Sequence, residues 1–120
     1  MKKPLIPARK PHEFATRERC FITEILNDDA EPRVSLARCR VPPGVATELH
    51  SLSVDEWYLV ETGAGAMEVG GEPAFPVKPG DTVVIAREVS QRIRNTGDTD
   101  LVFQCICTPR FTPDAYRALE

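Results

Sequence analysis

Residues 44–63 read GVATELHSLSVDEWYLVETG. A histidine, His50, and a glutamate, Glu56, lie between two glycines, and the apolar run that follows Glu56 ends at Gly63. An apolar run bounded by glycine in this way predicts a short β-strand. Because alternate strand residues point to the same face, Tyr58 shares the face of Glu56. The segment therefore predicts a strand that carries a carboxyl group and a phenol on one side.

Beyond Gly63, short apolar runs alternate with turn residues at a regular spacing. The turns hold glycine, proline, asparagine and aspartate, which tolerate a positive φ or favour tight turns. Strands this short, separated by turn chemistry each time, predict an all-β sandwich or barrel. The predicted strands cover residues 19–26, 33–41, 57–60, 66–69, 82–86, 91–94 and 101–107.

The two ends of the chain follow other patterns. Residues 1–19 are rich in proline and charge, and they predict an extended arm that wraps the domain or pairs with a neighbouring subunit. Near the other end, Thr112, Pro113 and Asp114 are residue types that favour the start of a helix, so a short C-terminal helix is predicted. We expect one domain over residues 1–120, made of an arm and strand (1–32), a barrel (33–109) and a tail with a helix (110–120).

Composition excludes several classes of function. The 120 residues include 15 basic and 18 acidic side chains, a net charge of -3, and these charges are spread along the chain. This distribution predicts neither a nucleic-acid partner nor an anionic membrane partner. No apolar run has the length of a signal peptide or a membrane span, so a cytoplasmic protein is predicted.

The chain has four cysteines, Cys20, Cys39, Cys105 and Cys107. They are enough for two disulfides, but a chain without a secretion signal normally keeps its thiols reduced. Cys105 and Cys107 lie two apart in a predicted strand and so share a face. Buried free thiols are the simple interpretation, and a metal-binding role for the last two is the alternative.

Residues 44–63 resemble the first sequence motif of the cupin superfamily. That motif contains a glycine, two histidines one residue apart, a glutamate and a final glycine. Gly44, His50, Glu56 and Gly63 match it in register, and Leu52 occupies the place of the second histidine. The resemblance implies a jelly-roll barrel, the double-stranded β-helix of cupins.

Residues 80–95 resemble the second cupin motif. Gly80 and Asn95 match its first glycine and its asparagine. Ala86, Glu88 and Gln91 stand where the family has proline, glycine and histidine. The motif is therefore degenerate at its metal-binding position.

The resemblance implies a divalent metal, Fe, Mn, Ni, Cu or Zn, held inside the barrel. Carried over residue by residue, the ligands are His50, Glu56 and, as a weak neutral donor, Gln91. Leu52 cannot coordinate a metal. Glu48, two residues before His50, shares its face if the strand is regular, and Cys105 or Cys107 can offer a thiolate.

Other residues are candidates for contact with a substrate. Tyr58 borders the predicted pocket, whereas Trp57 suits the core or a dimer interface. Arg110 is a candidate clamp for an anionic substrate, with a surface ion pair as the alternative. Arg92 and Arg94 have the opposite parity to Gln91 and should face solvent.

Three functions remain open. The first is a metalloenzyme in which His50 and Glu56 act on a small oxygenated metabolite, as a dioxygenase, isomerase or lyase, with metal-free acid–base chemistry by Glu56 as a variant. The second is a non-catalytic protein that binds a small molecule without metal. The third is a purely structural barrel. Resemblance to cupins also implies a homodimer, formed through the arm or through packed barrel faces.

Overall fold

The computed structural model describes residues 4–8 and 12–120. In these residues the chain forms short β-strands and one turn of 3₁₀ helix. The strands are β1 (Glu13–Ala15), β2 (Phe21–Leu26), β3 (Ser35–Val41), β4 (His50–Leu52), β5 (Asp55–Thr62), β6 (Gly65–Val69), β7 (Phe75–Val77), β8 (Thr82–Ile85), β9 (Gln91–Asn95), β10 (Leu101–Thr108) and β11 (Tyr116–Ala118), with the 3₁₀ turn at Pro113–Ala115.

The strands build two antiparallel sheets. One has six strands in the order β1-β2-β3-β10-β5-β8, and the other has five in the order β11-β4-β9-β6-β7. Strands distant in sequence lie side by side, and β10 pairs with both β3 and β5. This arrangement confirms the all-β jelly-roll barrel that the sequence predicted.

The core lies between the sheets, where alternate strand residues point inward. Because of the two-residue period, Val83 and Ile85 of β8 are buried while Val84 between them is 66% exposed. The largest fully buried apolar side chains are Phe103, Met67, Ile85, Ile93 and Leu101.

The arm is part of the six-stranded sheet. β1 pairs with β2, and β2 pairs with β3, so both strands extend the barrel wall of the same chain. Residues 1–3 and 9–11, which the predicted arm also includes, lie outside the described residues. At β1, the arm therefore lies along the barrel of its own chain.

The C-terminal prediction is corrected. Pro113 starts a helical turn after Thr112, as expected, but the turn ends at Ala115. The chain then enters β11, which pairs with β4. The helix stops after one turn because β4 offers an unpaired edge that takes up the backbone of the tail.

One glycine closes the turn after β5. Gly63 has a φ of +88°, a region that glycine enters readily and other residues do not. A Cβ atom at this position would lie 2.7 Å from the backbone oxygen of Asp100. Gly63 therefore lets β5 turn closely against the start of β10.

No helix among the described residues is long and apolar enough to cross a membrane.

Candidate functional site

A cavity of about 420 Å³ lies between the two sheets. Its wall combines side chains of the six-stranded sheet, β4 and β11 of the other sheet, and the turn between β1 and β2. Of the residues predicted for the site, His50, Glu56, Tyr58 and Cys107 line this cavity. The structure therefore brings together the two ligand-type residues of the first motif.

Glu56 and Tyr58 are joined to Gln91 by hydrogen bonds that cross between the sheets. The amide nitrogen of Gln91 donates to Oε1 of Glu56 at 2.8 Å. The hydroxyl of Tyr58 donates to the amide oxygen of Gln91 at 2.5 Å. Cys107 adds a weak thiol hydrogen bond to Oε2 of Glu56, with 3.6 Å between sulfur and oxygen. Both ends of the Gln91 amide are thus engaged with side chains of the opposite sheet.

Burial controls the charge of Glu56. The residue is 5% exposed, and loss of water around the carboxyl group raises its pKa from 4.5 to about 7. The hydrogen bond from Gln91 acts in the other direction because it favours the carboxylate. Glu56 can therefore hold or release a proton near neutral pH.

The ring of His50 is held in one orientation. It stacks on Tyr116, with 4.9 Å between ring centres, and its Nδ1 lies 2.6 Å from the backbone oxygen of Glu48. Because a carbonyl oxygen only accepts, Nδ1 must carry the proton in the neutral ring. Burial lowers the pKa of His50, which favours that neutral form. The remaining nitrogen, Nε2, therefore presents a lone pair to the cavity.

Glu18 is a site residue that the sequence did not predict. It lies in the turn between β1 and β2, and its Oε1 is 3.6 Å from Nε2 of His50. Burial, followed by the negative charge of Glu48, raises the pKa of Glu18 to about 7. Glu18 stands 32 positions before His50 in the sequence, so no local motif could have revealed the contact.

Glu48 does not share the inward face of His50, which corrects the sequence prediction. β4 begins only at His50, so the two-residue rule does not extend back to Glu48. The Glu48 carboxylate instead accepts a hydrogen bond from the hydroxyl of Tyr116 at 2.5 Å and lies 3.5 Å from Arg17. Glu48 supports the aromatic residue on which His50 stacks.

All four cysteines are free, and all four line the cavity. Cys20 and Cys39 are buried in the core cluster between the sheets, and Cys105 packs against that cluster. Burial and the charge of Glu56 raise the pKa of the Cys107 thiol. Neutral thiols are poor metal ligands and poor nucleophiles, so these residues form a soft, weakly polar wall.

Arg110 lies outside the cavity wall. Its Nε donates to the side-chain oxygen of Asn27 at 2.8 Å, so it is not placed as a clamp for a ligand in the cavity. Arg92 binds Glu68 in a surface ion pair, and Arg94 is exposed, as their parity predicted. Leu52 is buried against Val54, Cys107 and Ala115 at the cavity edge.

The side chains do not fit the metal site that the cupin resemblance implies. Gln91 uses its oxygen and its nitrogen for Tyr58 and Glu56, and Leu52 offers no donor. Within residues 4–8 and 12–120, no three His, Cys, Asp or Glu side chains converge to hold a metal ion. Every side-chain nitrogen and oxygen in this part of the chain that is sealed from solvent has a hydrogen-bond partner, so none of these sealed atoms is left free for a metal.

Comparison with known proteins agrees with the fold. The Cupin domain family model, Cupin_2, matches residues 37–107. An uncharacterized protein of Methanocaldococcus jannaschii, MJ1618, is 32% identical over 110 residues, which cover 89% of this chain and 87% of the relative. The oxalate-binding protein of Thermotoga maritima is 35% identical over 71 residues, or 58% of each chain. A solved structure described as a predicted oxalate decarboxylase of Thermotoga maritima has a TM-score of 0.73 at 26% identity, covering 87% of this chain and 99% of that one.

Proposed function

Since the chain belongs to the cupin domain family, we propose that it binds a small, uncharged, oxygenated molecule in the barrel cavity and exchanges protons with it through Glu56 and His50. The observation that carries this proposal is the fixed geometry of two proton-transfer groups that line one cavity, Glu56 from the six-stranded sheet and His50 from the five-stranded sheet. Gln91 holds the Glu56 carboxyl in place, and the backbone of Glu48 fixes the tautomer of His50. Positioned acid and base groups of this kind are what proton-transfer catalysis requires.

The charges around the cavity favour an uncharged ligand. The described wall carries three carboxyl groups, those of Glu18, Glu24 and Glu56. Its one guanidinium belongs to Arg17, whose side chain is 71% exposed at the edge. An anionic ligand would bring further negative charge next to buried carboxyls without a buried cation to balance it. Hydroxyl and carbonyl groups suit this wall better.

The two residues have complementary roles. Protonated Glu56 can donate to an oxygen of the ligand, while Nε2 of neutral His50 can accept a proton from it. A hydroxy-aldehyde or hydroxy-ketone supplies both partners, because its carbonyl oxygen accepts a proton as the adjacent carbon loses one. The product of these two transfers is an enediol, and return of the protons to exchanged positions gives the isomer. No metal is needed for this sequence of proton transfers.

Solvent exchange tests the proposal across a whole class of candidate substrates. Small hydroxy-aldehydes and hydroxy-ketones would be incubated with the protein in D₂O, and deuterium on carbon would be followed by NMR. We expect exchange with at least one compound, reduced about 100-fold or more in Glu56→Gln and His50→Asn. Glu72→Gln, an exposed glutamate remote from the cavity, is the control and should exchange at the parent rate.

Two results would contradict catalysis by these residues. One is exchange that persists in Glu56→Gln, and the other is exchange that is lost with a chelator and restored by a divalent metal. Saturable binding of one compound, without exchange in any, would favour the non-catalytic binding function instead.

We also infer that the protein forms a homodimer through the outer face of the six-stranded sheet. Ile106, Trp57 and Val84 are register neighbours on β10, β5 and β8, and Leu59 lies beside them on the same face. Arg38 and Glu61, paired at 3.4 Å, flank this apolar row. A second copy turned about a twofold axis would cover the row and set opposite charges together.

A further inference from the structure

The turn between β1 and β2 is built to hold one conformation. The backbone nitrogen and the hydroxyl of Thr16 both donate to the backbone oxygen of Cys20, at 2.9 and 3.0 Å. The same hydroxyl accepts from the backbone nitrogen of Glu18 at 3.2 Å. Arg19 has a φ of +70°, an uncommon conformation for a residue with a side chain. These bonds close a tight loop with Glu18 near its tip.

The loop is also tied to the barrel at Glu18 and at Arg19. The backbone oxygen of Glu18 accepts from the backbone nitrogen of Glu48 at 3.1 Å. The guanidinium of Arg19 donates to the backbone oxygen of Ala46 at 2.9 Å and to Glu120 at 2.6 Å. The position of Glu18 over the cavity is therefore fixed by contacts with two separate parts of the chain, the segment before β4 and the C-terminal residue.

The Glu18 carboxyl stands between His50 and solvent. Its Oε1 is 3.6 Å from Nε2 of His50, a few tenths of an ångström beyond a direct hydrogen bond. The His50 side chain is 4% exposed, whereas that of Glu18 is 23% exposed. The nearest carboxyl oxygen to Nε2 therefore belongs to a side chain that is closer to solvent than His50. A proton that leaves Nε2 can reach water through this oxygen.

We propose that Glu18 is the proton relay of His50, and that the N-terminal arm thereby completes the site. The inference rests on the proposed function, because His50 must first take a proton from a ligand. The imidazolium then passes the Nε2 proton to the Glu18 carboxylate, and Glu18 releases it to water at the cavity mouth. His50 returns to its neutral tautomer and Glu18 to the carboxylate. The relay then runs in reverse: a proton from water passes through Glu18 to Nε2 of His50 and onto carbon, while Glu56 takes its proton back from the enediol hydroxyl, so charge and protons balance over one cycle.

The surroundings of Glu18 support this role. Its side chain lines the cavity beside His50 and is still 23% exposed, so it can take a proton from Nε2 and lose it to water. Other ionisable groups interact electrostatically with Glu18. They belong to the arm, to both sheets and to the segment before β4. They are Arg17, Glu48, Glu56, Tyr58, Tyr116, Cys20 and Cys39.

Histidine NMR tests the pair without any substrate. The chain has only two histidines, His12 and His50, so selective ¹⁵N labelling gives few signals, and His12→Gln assigns them. We expect His50 to follow two protonation steps in the parent, because it shares them with Glu18. In Glu18→Gln the amide can still reach Nε2 but cannot take up a proton, so one step should remain. Glu24→Gln, which removes another cavity carboxyl, should keep both steps.

A rescue measurement separates a relay from a merely structural role. In Glu18→Ala the His50 Nε2 resonance should shift by several parts per million, and added formate, a small carboxylate, should return it toward the parent position. A one-step titration in the parent identical to that of Glu18→Gln would overturn the proposal, as would an Nε2 resonance that Glu18→Ala leaves in place. Because neither readout needs turnover, a failure of the proposed catalysis would be seen separately, as absence of solvent exchange with an intact Glu18–His50 pair.

Discussion

Gln91 stands where the cupin motif has a metal-binding histidine, and in this chain it connects the two sheets. Its amide gives one hydrogen bond to Glu56 and takes one from Tyr58, and its side chain is buried. The residue that weakens the metal site is thus the one that holds the carboxyl in place.

Restoring the two motif histidines should restore metal binding. We expect Leu52→His combined with Gln91→His to bind about one equivalent of a divalent metal, because the ligand set of the cupin motifs, three imidazoles and Glu56, would then be complete. Metal analysis of protein purified without a nickel column or chelator measures this. The parent is expected to contain far less than one equivalent. A stoichiometric metal in the parent that is lost in His50→Ala would contradict our interpretation of the donor set.

Glu56 should make the protein less stable as the pH rises. Its pKa is raised from 4.5 to about 7 on folding, so the folded state binds more protons between these values and stability falls as pH increases through them. The loss by pH 8 should be on the order of 3 kcal/mol from this residue, since one pKa unit corresponds to about 1.4 kcal/mol. Glu56→Gln has no proton to lose in this range, so the part of the pH dependence that comes from Glu56 should be absent in this variant.

Urea unfolding measured between pH 4 and 8 checks the expectation. Glu18 has a similarly raised pKa, so part of this fall in stability should persist in Glu56→Gln, and the Glu18→Gln, Glu56→Gln double variant should lose that part as well. The exposed Glu72→Gln control should retain the parent slope. Equal slopes in the parent and Glu56→Gln would show that the carboxyl group is not protonated on folding.

The sequence predicted part of the site. The spacing of the motif placed His50 and Glu56 inside the barrel, and strand parity placed Tyr58 beside Glu56; all three line the cavity. The prediction that Glu48 shares the face of His50 was wrong, because the two-residue alternation holds only inside a strand and β4 begins at His50. Glu18 and Tyr116 were missed because they reach His50 from opposite ends of the chain, and such contacts leave no local pattern.

At the level of elements, the strands predicted from apolar runs and turn residues were all found, with ends shifted by up to two residues. Three-residue strands were missed because they are too short to show a two-residue period. β7 also contains Pro76, which is tolerated because β7 is the edge strand of its sheet. The sequence predicted a helix where β11 lies. Thr112 and Pro113 favour the start of a helix, but they carry no information about where it ends.

The turn between β5 and β6 should tolerate only glycine at position 63. Gly63→Ala forces a side chain into a positive φ and against the backbone of Asp100 and Leu101, so we expect a loss of more than about 2 kcal/mol of stability. Gly71→Ala is the matched control, because Gly71 has a φ of +74° but no heavy atom within 4 Å of the added Cβ. It should cost about 1 kcal/mol. Equal losses in thermal or urea unfolding would show that the close approach at Gly63 does not matter.

For the whole molecule, the apolar row on the outer sheet face predicts how two copies meet. Val84→Lys would place a charge in that row at its most exposed residue, on the edge strand β8, so we expect dimers in the parent and monomers in the variant. Light scattering coupled to size-exclusion chromatography measures the mass of each. Glu72→Lys, on an exposed turn away from this face, should leave the mass unchanged. A parent that is monomeric at high concentration, or a Val84→Lys dimer, would reject this interface.

The charge of the whole cavity leads to a prediction about oxalate, which the names of two relatives mention. Oxalate carries two negative charges, and the described cavity wall offers carboxyl groups and one exposed arginine. We expect isothermal titration calorimetry to show no binding at millimolar oxalate in the absence of added metal. Saturable, micromolar binding to the metal-free parent would contradict the electrostatic argument for an uncharged ligand.

The arm and the tail lie outside residues 37–107, the part that the cupin family model matches. Glu18 and Tyr116, the two residues that surround His50, belong to these flanking segments. Homologous barrels can therefore diverge in chemistry by exchanging their ends while their shared motifs stay the same. Proteins that share the barrel motif share a common ancestor. To group them by activity, the residues of the two flanking segments must also be compared.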